Sequence, residues 1–378
     1  MVEKRGLTYK DSGVDIEASE QMIERAKPMI EKTFGFLPGK LVSAVGGYAA
    51  IVELEAGPVL LPATDGVGTK IKLAELMGIR GTVGIDLVAM CVNDILVYGV
   101  TSGFFLDYYA MGKQDAARSD AILAGIIEGC MQARYALLGG ETAEMPAVYG
   151  ERGWDLAGFA VGVATSMDAL ILGNNTRPGM KVYGLASSGL HSNGFSMVWK
   201  AFKITFDSTR KRDRDAVMRL LHDTHSALGC PLYEELLRPT KIYVQQIIEL
   251  RRKYEIAGMA NITGGGLIDN PPRILPPGFA IEIRLGSWPV PQIFRIIQRL
   301  GNVDGWEMLR TFNNGIGFIV ISRDQINEPD VYEIGQVVYS GDERYYGNRT
   351  VNLIWPHDPT DPQKRKWNSY AWASHFQR

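Results

Sequence analysis

The sequence has few cysteines, no long apolar run and no excess of charge of either sign. Its three cysteines, Cys91, Cys130 and Cys230, form no C-x-x-C pair, which argues against a disulfide framework and a structural zinc site. Lys and Arg total 40 and Asp and Glu total 42, so no basic field attracts nucleic acid or a membrane surface. No apolar run approaches about 18 residues, and residues 1–13 lack an apolar core, so we expect a cytoplasmic protein.

Glycine is the residue type in surplus. It occupies 42 of 378 positions, about 11% against roughly 7% in ordinary proteins, whereas the 18 prolines are an ordinary number. Hydrophobic residues make up 46% of the chain, which excludes a long disordered protein. Many glycines follow short apolar runs, so we interpret them as turns at the ends of strands, where backbone can approach a ligand.

Segments with strand and helix patterns alternate along the chain, which predicts an α/β (α+β) fold. The length suits about two domains, and the loop composition of 173–179 predicts a boundary near 173. We therefore predict domains at 1–173 and 174–355, followed by a tail, 356–378, of unknown role. Basic residues interleaved with aromatics in the tail are compatible with single-stranded nucleic acid, but a docked or unstructured tail is the simpler interpretation. The charged stretch 208–226 is interpreted as a solvated helix.

The segment 64–70 is the first candidate for chemistry. A predicted strand, 58–64, leads to Asp65, after which Gly66 and Gly68 allow the backbone to approach a ligand and Lys70 supplies a cation. The spacing is not that of a Walker A loop. Free backbone N–H groups, a cation and a carboxylate nevertheless suit a phosphate and a hard cation. The alternative is a tight turn with surface charges.

Two further segments supply carboxylates. Asn93 and Asp94 interrupt an apolar helix predicted at 84–98, where a buried carboxylate needs a partner or a metal. Gly139, Gly140 and Glu141 follow a short predicted strand. Asp65, Asp94 and Glu141 would give three oxygen ligands for Mg²⁺, unless Asp94 is paired with a lysine or caps another stretch of backbone. Asp86 precedes the apolar run and is interpreted as the N-cap of the helix.

The second half of the chain has two polar loops. Ser187–Ser196 follows a strand pattern and contains His191, which could serve as a general acid or base, or as a donor to an oxyanion; the alternative is a capping histidine. Gly264, Gly265 and Gly266 stand between a strand and a helix pattern, a typical anion-binding arrangement, although such turns can also be purely conformational. Residues 311–317 enter the last strand and are expected to line the same cleft.

Together these motifs resemble one family, the phosphoribosylformylglycinamidine cyclo-ligases, also called aminoimidazole ribonucleotide synthetases. The resemblance covers about residues 7–355. It is carried by the segments 9–15, 64–70, 84–94, 104–109, 139–146, 187–196, 238–244, 263–273 and 311–317. The chain departs from the family at Asp269, where the family usually has Glu. The lack of a reactive cysteine near a glycine loop disfavours the related selenophosphate synthetases, and the chain has no room for a glutaminase domain.

The resemblance implies an ATP- and Mg²⁺-dependent ligase of purine biosynthesis that converts formylglycinamidine ribonucleotide to aminoimidazole ribonucleotide. It also implies two α/β domains meeting over one ATP and one ribonucleotide, and a homodimer whose N-terminal sheets pair into a barrel. The alternatives are another ATP-dependent small-molecule kinase of the superfamily and a catalytically silent nucleotide-binding scaffold.

We expect the following residues to form the site. Those with catalytic roles are Asp65, Lys70 and His191. Those that bind ATP are Lys27, Thr64, Asp65, Gly66, Gly68, Thr69, Lys70, Gly139, Gly140 and Glu141. Those that bind the substrate are Ser188, His191, Ser192, Asn193, Thr263, Gly264, Gly265, Gly266 and Asn313. Those that bind Mg²⁺ are Asp65, Asn93, Asp94 and Glu141.

Overall fold

A computed structural model describes residues 6–43, 47–55, 57–206, 210–340 and 350–354. The tail predicted at 356–378 lies outside the described residues, as do residues 208 and 209 of the charged stretch. Cys91, Cys130 and Cys230 are free thiols. Among the described helices, none combines the length and the apolarity that a membrane crossing needs.

The elements alternate broadly as the sequence predicts. The helices are α1 (Ile16–Ile30), α2 (Lys70–Met77), α3 (Gly81–Leu96), α4 (Ala116–Ala133), α5 (Pro146–Tyr149), α6 (Phe195–Ala201), α7 (Lys211–His222), α8 (Leu232–Leu237), α9 (Val244–Lys253), α10 (Gly266–Asp269), α11 (Gln292–Gly301) and α12 (Gly305–Thr311). The strands are β1 (Gly39–Ser43), β2 (Ile51–Leu54), β3 (Val59–Gly66), β4 (Gly103–Met111), β5 (Tyr135–Glu144), β6 (Trp154–Ala164), β7 (Lys181–Ala186), β8 (Thr224–His225), β9 (Cys230–Pro231), β10 (Ile256–Asn261), β11 (Phe279–Arg284), β12 (Ile316–Ser322), β13 (Val331–Tyr339) and β14 (Thr350–Ile354).

The described chain divides into two compact units. The N-terminal unit contains Asp15–Ile171 together with Pro239–Lys253, and the C-terminal unit contains the described residues of Met1–Val14, Leu172–Arg238 and Tyr254–Arg378. The predicted boundary at 173 does not foresee that Pro239–Lys253 belongs with the N-terminal unit. This segment is held there by hydrogen bonds to α3 and by packing of α9 against α4.

The N-terminal unit is built on a six-stranded mixed sheet. Its strand order is β1-β2-β3-β6-β4-β5, with β4 and β5 parallel and the other pairs antiparallel. Buried and exposed residues alternate along much of β6, because successive side chains of a strand point to opposite faces. One face packs against α3, and the other face, called here the open face, carries exposed side chains such as Phe159.

The C-terminal unit contains a second six-stranded mixed sheet, ordered β10-β12-β7-β13-β11-β14. Here β11 and β14 are parallel, and the other neighbours are antiparallel. Every residue of β10 and β12 is buried, so these strands are covered on both faces. The continuous apolar run at 316–321 is typical of such a position.

Two predictions about the N-terminal unit are wrong in detail. Asp86 is not the N-cap of α3, because the helix begins five residues earlier at Gly81 and Asp86 is fully buried inside it. Gly139 and Gly140 do not form a turn after a strand. Both lie within β5, in register with Leu106 and Asp107 of β4.

Part of the glycine surplus serves helix packing. A Cβ on Gly125 of α4 would lie 1.8 Å from the carbonyl oxygen of Gly81 in α3, and a Cβ on Gly84 would lie 2.5 Å from Ile122 O and Ile126 N. The backbones of α3 and α4 therefore approach too closely for any side chain at these positions. Our interpretation of the glycine surplus as strand-end turns accounts for only some of these residues.

We expect Gly125→Ala to destabilise the protein by about 1–3 kcal/mol, because the new methyl group forces α3 and α4 apart. Urea unfolding followed by circular dichroism measures the change. Gly35→Ala is the matched control. A Cβ on Gly35 would meet no atom of the described residues within 4 Å beyond its chain neighbours, so stability should stay the same or rise slightly. Equal stability of the Gly125→Ala and wild-type proteins would contradict this close helix contact.

Candidate active site

Asp65 lies at the end of β3 and is half-buried. Its Oδ1 accepts a 2.8 Å hydrogen bond from the backbone N–H of Gly66. Burial raises the pKa of the Asp65 carboxyl to about 6, although the hydrogen bond from Gly66 acts in the opposite direction. A carboxylate held in a partly desolvated position at a strand end is typical of a functional site.

The turn from Gly66 to Thr69 presents backbone beside this carboxylate. Gly68 has a φ of 74°, in the left-handed region that favours glycine, and both Gly68 and Thr69 are exposed. The exposed Thr64, which precedes the turn, donates its hydroxyl to the carbonyl of Gly158 at 2.8 Å. The turn can therefore offer backbone N–H groups to an anion next to a carboxylate that can bind a cation.

Lys70, at the end of this turn, is fully buried. Its Nζ lies 2.8 Å and 3.0 Å from the two carboxylate oxygens of Asp86. Asp86 Oδ1 also accepts hydrogen bonds from the backbone N–H and the hydroxyl of Thr240, at 2.7 Å and 2.6 Å. This placement favours a structural role for Lys70, and its contact with a phosphate stays an untested prediction.

Asp65 and Asp94 both act on one buried thiol, whereas Glu141 lies on a distant strand. Asp65 and Asp94 both raise the pKa of the buried Cys91 thiol, after the larger effect of burial itself. Glu141 is exposed on β5, three strands from β3, a separation of roughly 14 Å. The sheet register also aligns Glu141 with Gly66, not with Asp65. Asp65, Asp94 and Glu141 therefore do not converge within one chain.

Across the described residues, no three His, Cys, Asp or Glu side chains are grouped so that they could hold an ion. Asn93 is engaged elsewhere: its Oδ1 accepts from Tyr243 N at 3.1 Å and its Nδ2 donates to Lys241 O at 2.9 Å. This favours a structural role for Asn93.

Lys27, which we expect to bind ATP, lies on α1 and is paired with Glu24.

Asp107 is a candidate that the sequence interpretation missed. It lies in β4, half-buried, and burial raises the pKa of its carboxyl. A Cβ on Gly140 would lie 2.4 Å from Asp107 Oδ1, so Gly140 leaves room for this carboxyl. Asp107 and Asp65 are both in register with Gly158 of β6. An aspartate within the apolar strand at 104–109 is the signal that could have identified it.

In the C-terminal unit, His191 is buried at the centre of a polar loop. It has a φ of 62°, and its Nε2 accepts a 3.3 Å hydrogen bond from the backbone N–H of Ser188. Arg238 donates to the carbonyl of Ser188 at 3.3 Å and is paired at 2.9 Å with Glu235, which is buried. The loop is therefore tightly braced around the histidine ring.

The glycine loop at 264–266 lies against this histidine loop. A Cβ on Gly264 would lie 3.7 Å from Asn193 Oδ1. Gly265 has a φ of 107°. Asn270, fully buried, accepts from Thr263 N at 2.9 Å and donates to Gly264 O at 3.2 Å. The structure therefore brings together the two predicted loops, and it shows Asn270 as the brace that sequence interpretation did not identify.

Asn313 joins the same cluster from the loop before β12. It is buried, its Oδ1 accepts from Gly315 N at 2.8 Å, and its Nδ2 donates to Gly189 O at 2.9 Å. Ser187 Oγ lies 3.1 Å from Asn313 Oδ1. Because these bonds engage both polar atoms of the amide, Asn313 shapes the loop around Gly189, and direct substrate contact by Asn313 stays a prediction.

Solved structures show the same fold at low sequence identity. Thiamine monophosphate kinase from Aquifex aeolicus matches with a TM-score of 0.54 and 14% identity, covering 91% of this chain and 100% of that chain. Phosphoribosylformylglycinamidine synthase II from Thermotoga maritima matches with a TM-score of 0.51 and 15% identity, covering 89% of this chain and 47% of that chain. At these identities the likeness concerns the fold alone.

Sequence comparison is more specific. Residues 46–164 match the AIR synthase related protein N-terminal domain, and residues 177–347 match the corresponding C-terminal domain. The phosphoribosylformylglycinamidine cyclo-ligase of Trichlorobacter lovleyi is 48% identical over 84% of this chain and 88% of its own length. That of Syntrophotalea carbinolica is 42% identical over 94% of this chain and 100% of its own length. The chain belongs to the phosphoribosylformylglycinamidine cyclo-ligase family.

Proposed function

We propose that this enzyme closes the imidazole ring of aminoimidazole ribonucleotide from formylglycinamidine ribonucleotide and ATP, in purine biosynthesis. The observation that carries this proposal is the 42–48% identity to cyclo-ligases over most of the chain. A structural neighbour is described as complexed with AMPPCP, which supports ATP as the phosphoryl donor. The likeness to kinases is confined to the fold, so the alternative of a different small-molecule kinase has weaker support.

The chemistry requires an amide oxygen to become a leaving group. Transfer of the γ-phosphoryl group of ATP to the formyl amide oxygen gives an iminophosphate and ADP, and the amide nitrogen loses its proton as the C=N bond forms. The amidine nitrogen then attacks the formyl carbon, the C–O bond breaks, and phosphate leaves with that oxygen while the nitrogen loses a proton. Such a reaction depends on positioning and charge stabilisation more than on a covalent nucleophile.

In the N-terminal unit, we assign the nucleotide phosphates to the turn at 66–69, beside Asp65. Mg²⁺ typically takes one or two carboxylates together with phosphate oxygens and water, so Asp65 and Asp94 are a sufficient protein contribution. Mg²⁺, when bound, neutralises charge on the phosphates. The backbone N–H groups of the turn orient the anion, and Lys27 adds positive charge from α1.

In the C-terminal unit, we assign the ribonucleotide to the cluster formed by the histidine loop and the glycine loop. Gly264 and Gly265 would hold the 5-phosphate through backbone N–H groups, whereas the N–H of Gly266 donates to Thr263 O at 2.9 Å. His191, with Ser192 and Asn193, would face the reacting amide. Because His191 Nε2 accepts a hydrogen bond from Ser188 N, the neutral ring carries its proton on Nδ1.

Asp65→Asn tests the nucleotide site. We expect ATP-dependent ring closure to fall at least about 100-fold, because a cation ligand is lost, and we expect stability to rise at pH 8. A raised pKa means that the folded state holds the Asp65 proton more tightly than the unfolded state. This contribution to stability is present below about pH 4 and is lost as pH rises through about 6. Removing the charge should recover about 1–3 kcal/mol at pH 8.

Both quantities can be measured on one preparation. ADP release and product formation with formylglycinamidine ribonucleotide give the activity, and urea unfolding at pH 4 and pH 8 gives the stability. Asp155→Asn is the control, because Asp155 accepts the same type of bond from the next N–H, at 2.9 Å, but is exposed. Full activity of Asp65→Asn would exclude its role as a cation ligand. A wild-type protein that makes no product would refute the proposed reaction.

His191→Asn tests the substrate site. Asparagine tolerates the left-handed φ of this residue and keeps a hydrogen-bond acceptor, so the loop should remain folded. We expect kcat to fall about 100-fold, with the KM for ATP within about threefold of wild type, because general acid–base or donor catalysis is removed. Steady-state kinetics measure both constants. An unchanged kcat would show that His191 only braces its loop.

We further propose that the open face of the N-terminal sheet pairs with a second copy, as family resemblance implies. Tyr108 is 40% exposed and Phe159 is 43% exposed on this face, with Val163 at 37%. Aromatic and aliphatic side chains exposed together on one sheet face indicate an interaction surface. A homodimer that buries this face would complete the core that the single unit leaves uncovered.

Phe159→Glu should shift the protein from dimer to monomer, because it places a charge in the proposed interface. Light scattering coupled to size-exclusion chromatography measures the mass. Leu123→Glu is the matched control: Leu123 is 45% exposed on α4, away from the sheet face, and its variant should remain dimeric. If Phe159→Glu keeps the wild-type mass, the open face is not the interface.

A further inference from the structure

We propose that Lys70 is a positioning residue that does not itself contact phosphate. With Asp86 and Thr240 it forms a buried clamp that holds the turn at 66–69 in the conformation that receives the ATP phosphates. Lys70, Asp86 and Thr240 together are called the clamp. The inference rests on the proposed function, since it assigns a role within the same nucleotide site.

The clamp joins three segments that are distant in the sequence. Lys70 begins α2 immediately after the turn, Asp86 lies inside α3, and Thr240 begins the segment that leads to α9. Lys70 and Asp86 are 0% exposed and Thr240 is 3% exposed. The carboxylate of Asp86 contacts the Lys70 ammonium at 2.8 Å and accepts both Thr240 hydrogen bonds. One buried carboxylate therefore receives donors from both other segments.

Helix α3 holds the turn at both of its ends. At the far end, Asp86 holds Lys70. At the near end, Cys91 Sγ lies 4.0 Å from the carbonyl oxygen of Asp65, within reach of a weak sulfur hydrogen bond. Since Asp86 and Cys91 belong to the same rigid helix, the separation between the two ends of the turn is fixed. Displacing Lys70 would free the C-terminal end of the turn, while the Cys91 contact would still hold the end at Asp65.

A second link ties the Thr240 segment to α3. Asn93 lies seven residues after Asp86, which places both on one side of the helix about two turns apart. Its side chain contacts Lys241 O and Tyr243 N. The segment from Thr240 to Tyr243 is therefore anchored at two points, so Thr240 is a fixed donor rather than a mobile one.

These contacts argue against direct phosphate binding by Lys70. To reach a phosphate at the exposed turn, the ammonium would have to leave the interior and abandon Asp86. An unpaired buried carboxylate is strongly destabilising, so the ion pair opposes that movement. We therefore infer that the Lys70 ammonium acts indirectly. By binding Asp86 it fixes the backbone position of Lys70, and so the end of the turn at 66–69.

Two variants separate positioning from contact. Lys70→Met removes the ammonium, and Asp86→Asn removes its partner but leaves the ammonium available for phosphate. We expect both to weaken binding of AMPPCP with Mg²⁺ at least 10-fold, measured by calorimetry well below the melting temperature. We also expect both to lower kcat/KM for ATP. The Lys70→Met/Asp86→Asn double variant should bind AMPPCP at least as tightly as the single variant that binds it less tightly. Lys72→Met, at an exposed position of α2, should bind as wild type does.

Other results would overturn the proposal. Loss of binding in Lys70→Met with normal binding in Asp86→Asn would mean that Lys70 contacts the phosphate. Normal binding in both, with a lowered melting temperature, would mean that the clamp serves stability alone. Because AMPPCP binding is measured without ring closure, failure of the clamp is distinguished from failure of the proposed reaction, which would appear as an inactive wild-type protein.

Milder variants cover the case in which the charge variants do not fold. Thr240→Val removes one hydrogen bond to Asp86, and Thr240→Ser keeps the hydroxyl. We expect Thr240→Val to raise the dissociation constant of AMPPCP about threefold and Thr240→Ser to restore the wild-type value. Equal binding by the two variants and the wild type would overturn the proposal.

Discussion

The N-terminal unit depends on how one buried carboxylate is satisfied. Twelve of the sixteen residues of helix α3 are buried, Asp86 among them, and a charge in such a place is costly unless it is paired and hydrogen-bonded. Asp86 meets this requirement only where Lys70 and Thr240 both reach it. The pairing therefore draws the segment after residue 238 into the N-terminal unit and fixes the start of α2. The placement of the turn at 66–69 follows from the same requirement.

The apolar surroundings of this carboxylate depend on glycine. On the sheet side of α3, a Cβ on Gly158 would lie 3.0 Å from Cys91 Sγ, and a Cβ on Gly162 would lie 2.4 Å from the side chain of Ile95. On the other side, Gly84 and Gly125 let α4 approach at backbone distance. Close approach excludes water from α3, and that exclusion makes the ion pair of Asp86 necessary. The glycine surplus thus shapes the core as well as the loops.

Local pattern is sufficient where the determinant is local. The apolar run at 316–321 predicts β12, and the polar loop at 187–194 and the glycine turn at 264–266 are each recognisable from composition. Sequence pattern fails where a residue distant in the sequence determines the role of a side chain. Asp86 resembles an N-cap because it precedes an apolar run, and its partners lie 16 and 154 residues away. Gly140 resembles a turn residue in the sequence, but it is glycine because the Asp107 carboxyl of the neighbouring strand occupies the space of a side chain. Local sequence does not show that neighbour.

Stability alone does not explain why the sheet carries aspartate at positions 65 and 107. Burial raises the pKa of both carboxyls, so each ionised side chain opposes folding at neutral pH. Their strands are separated by β6, a distance of about 10 Å, so one ion would not bind both. Asparagine would fit either position without the charge. Carboxyls whose pKa is raised by burial are typical of functional sites, which makes Asp107 a candidate alongside Asp65.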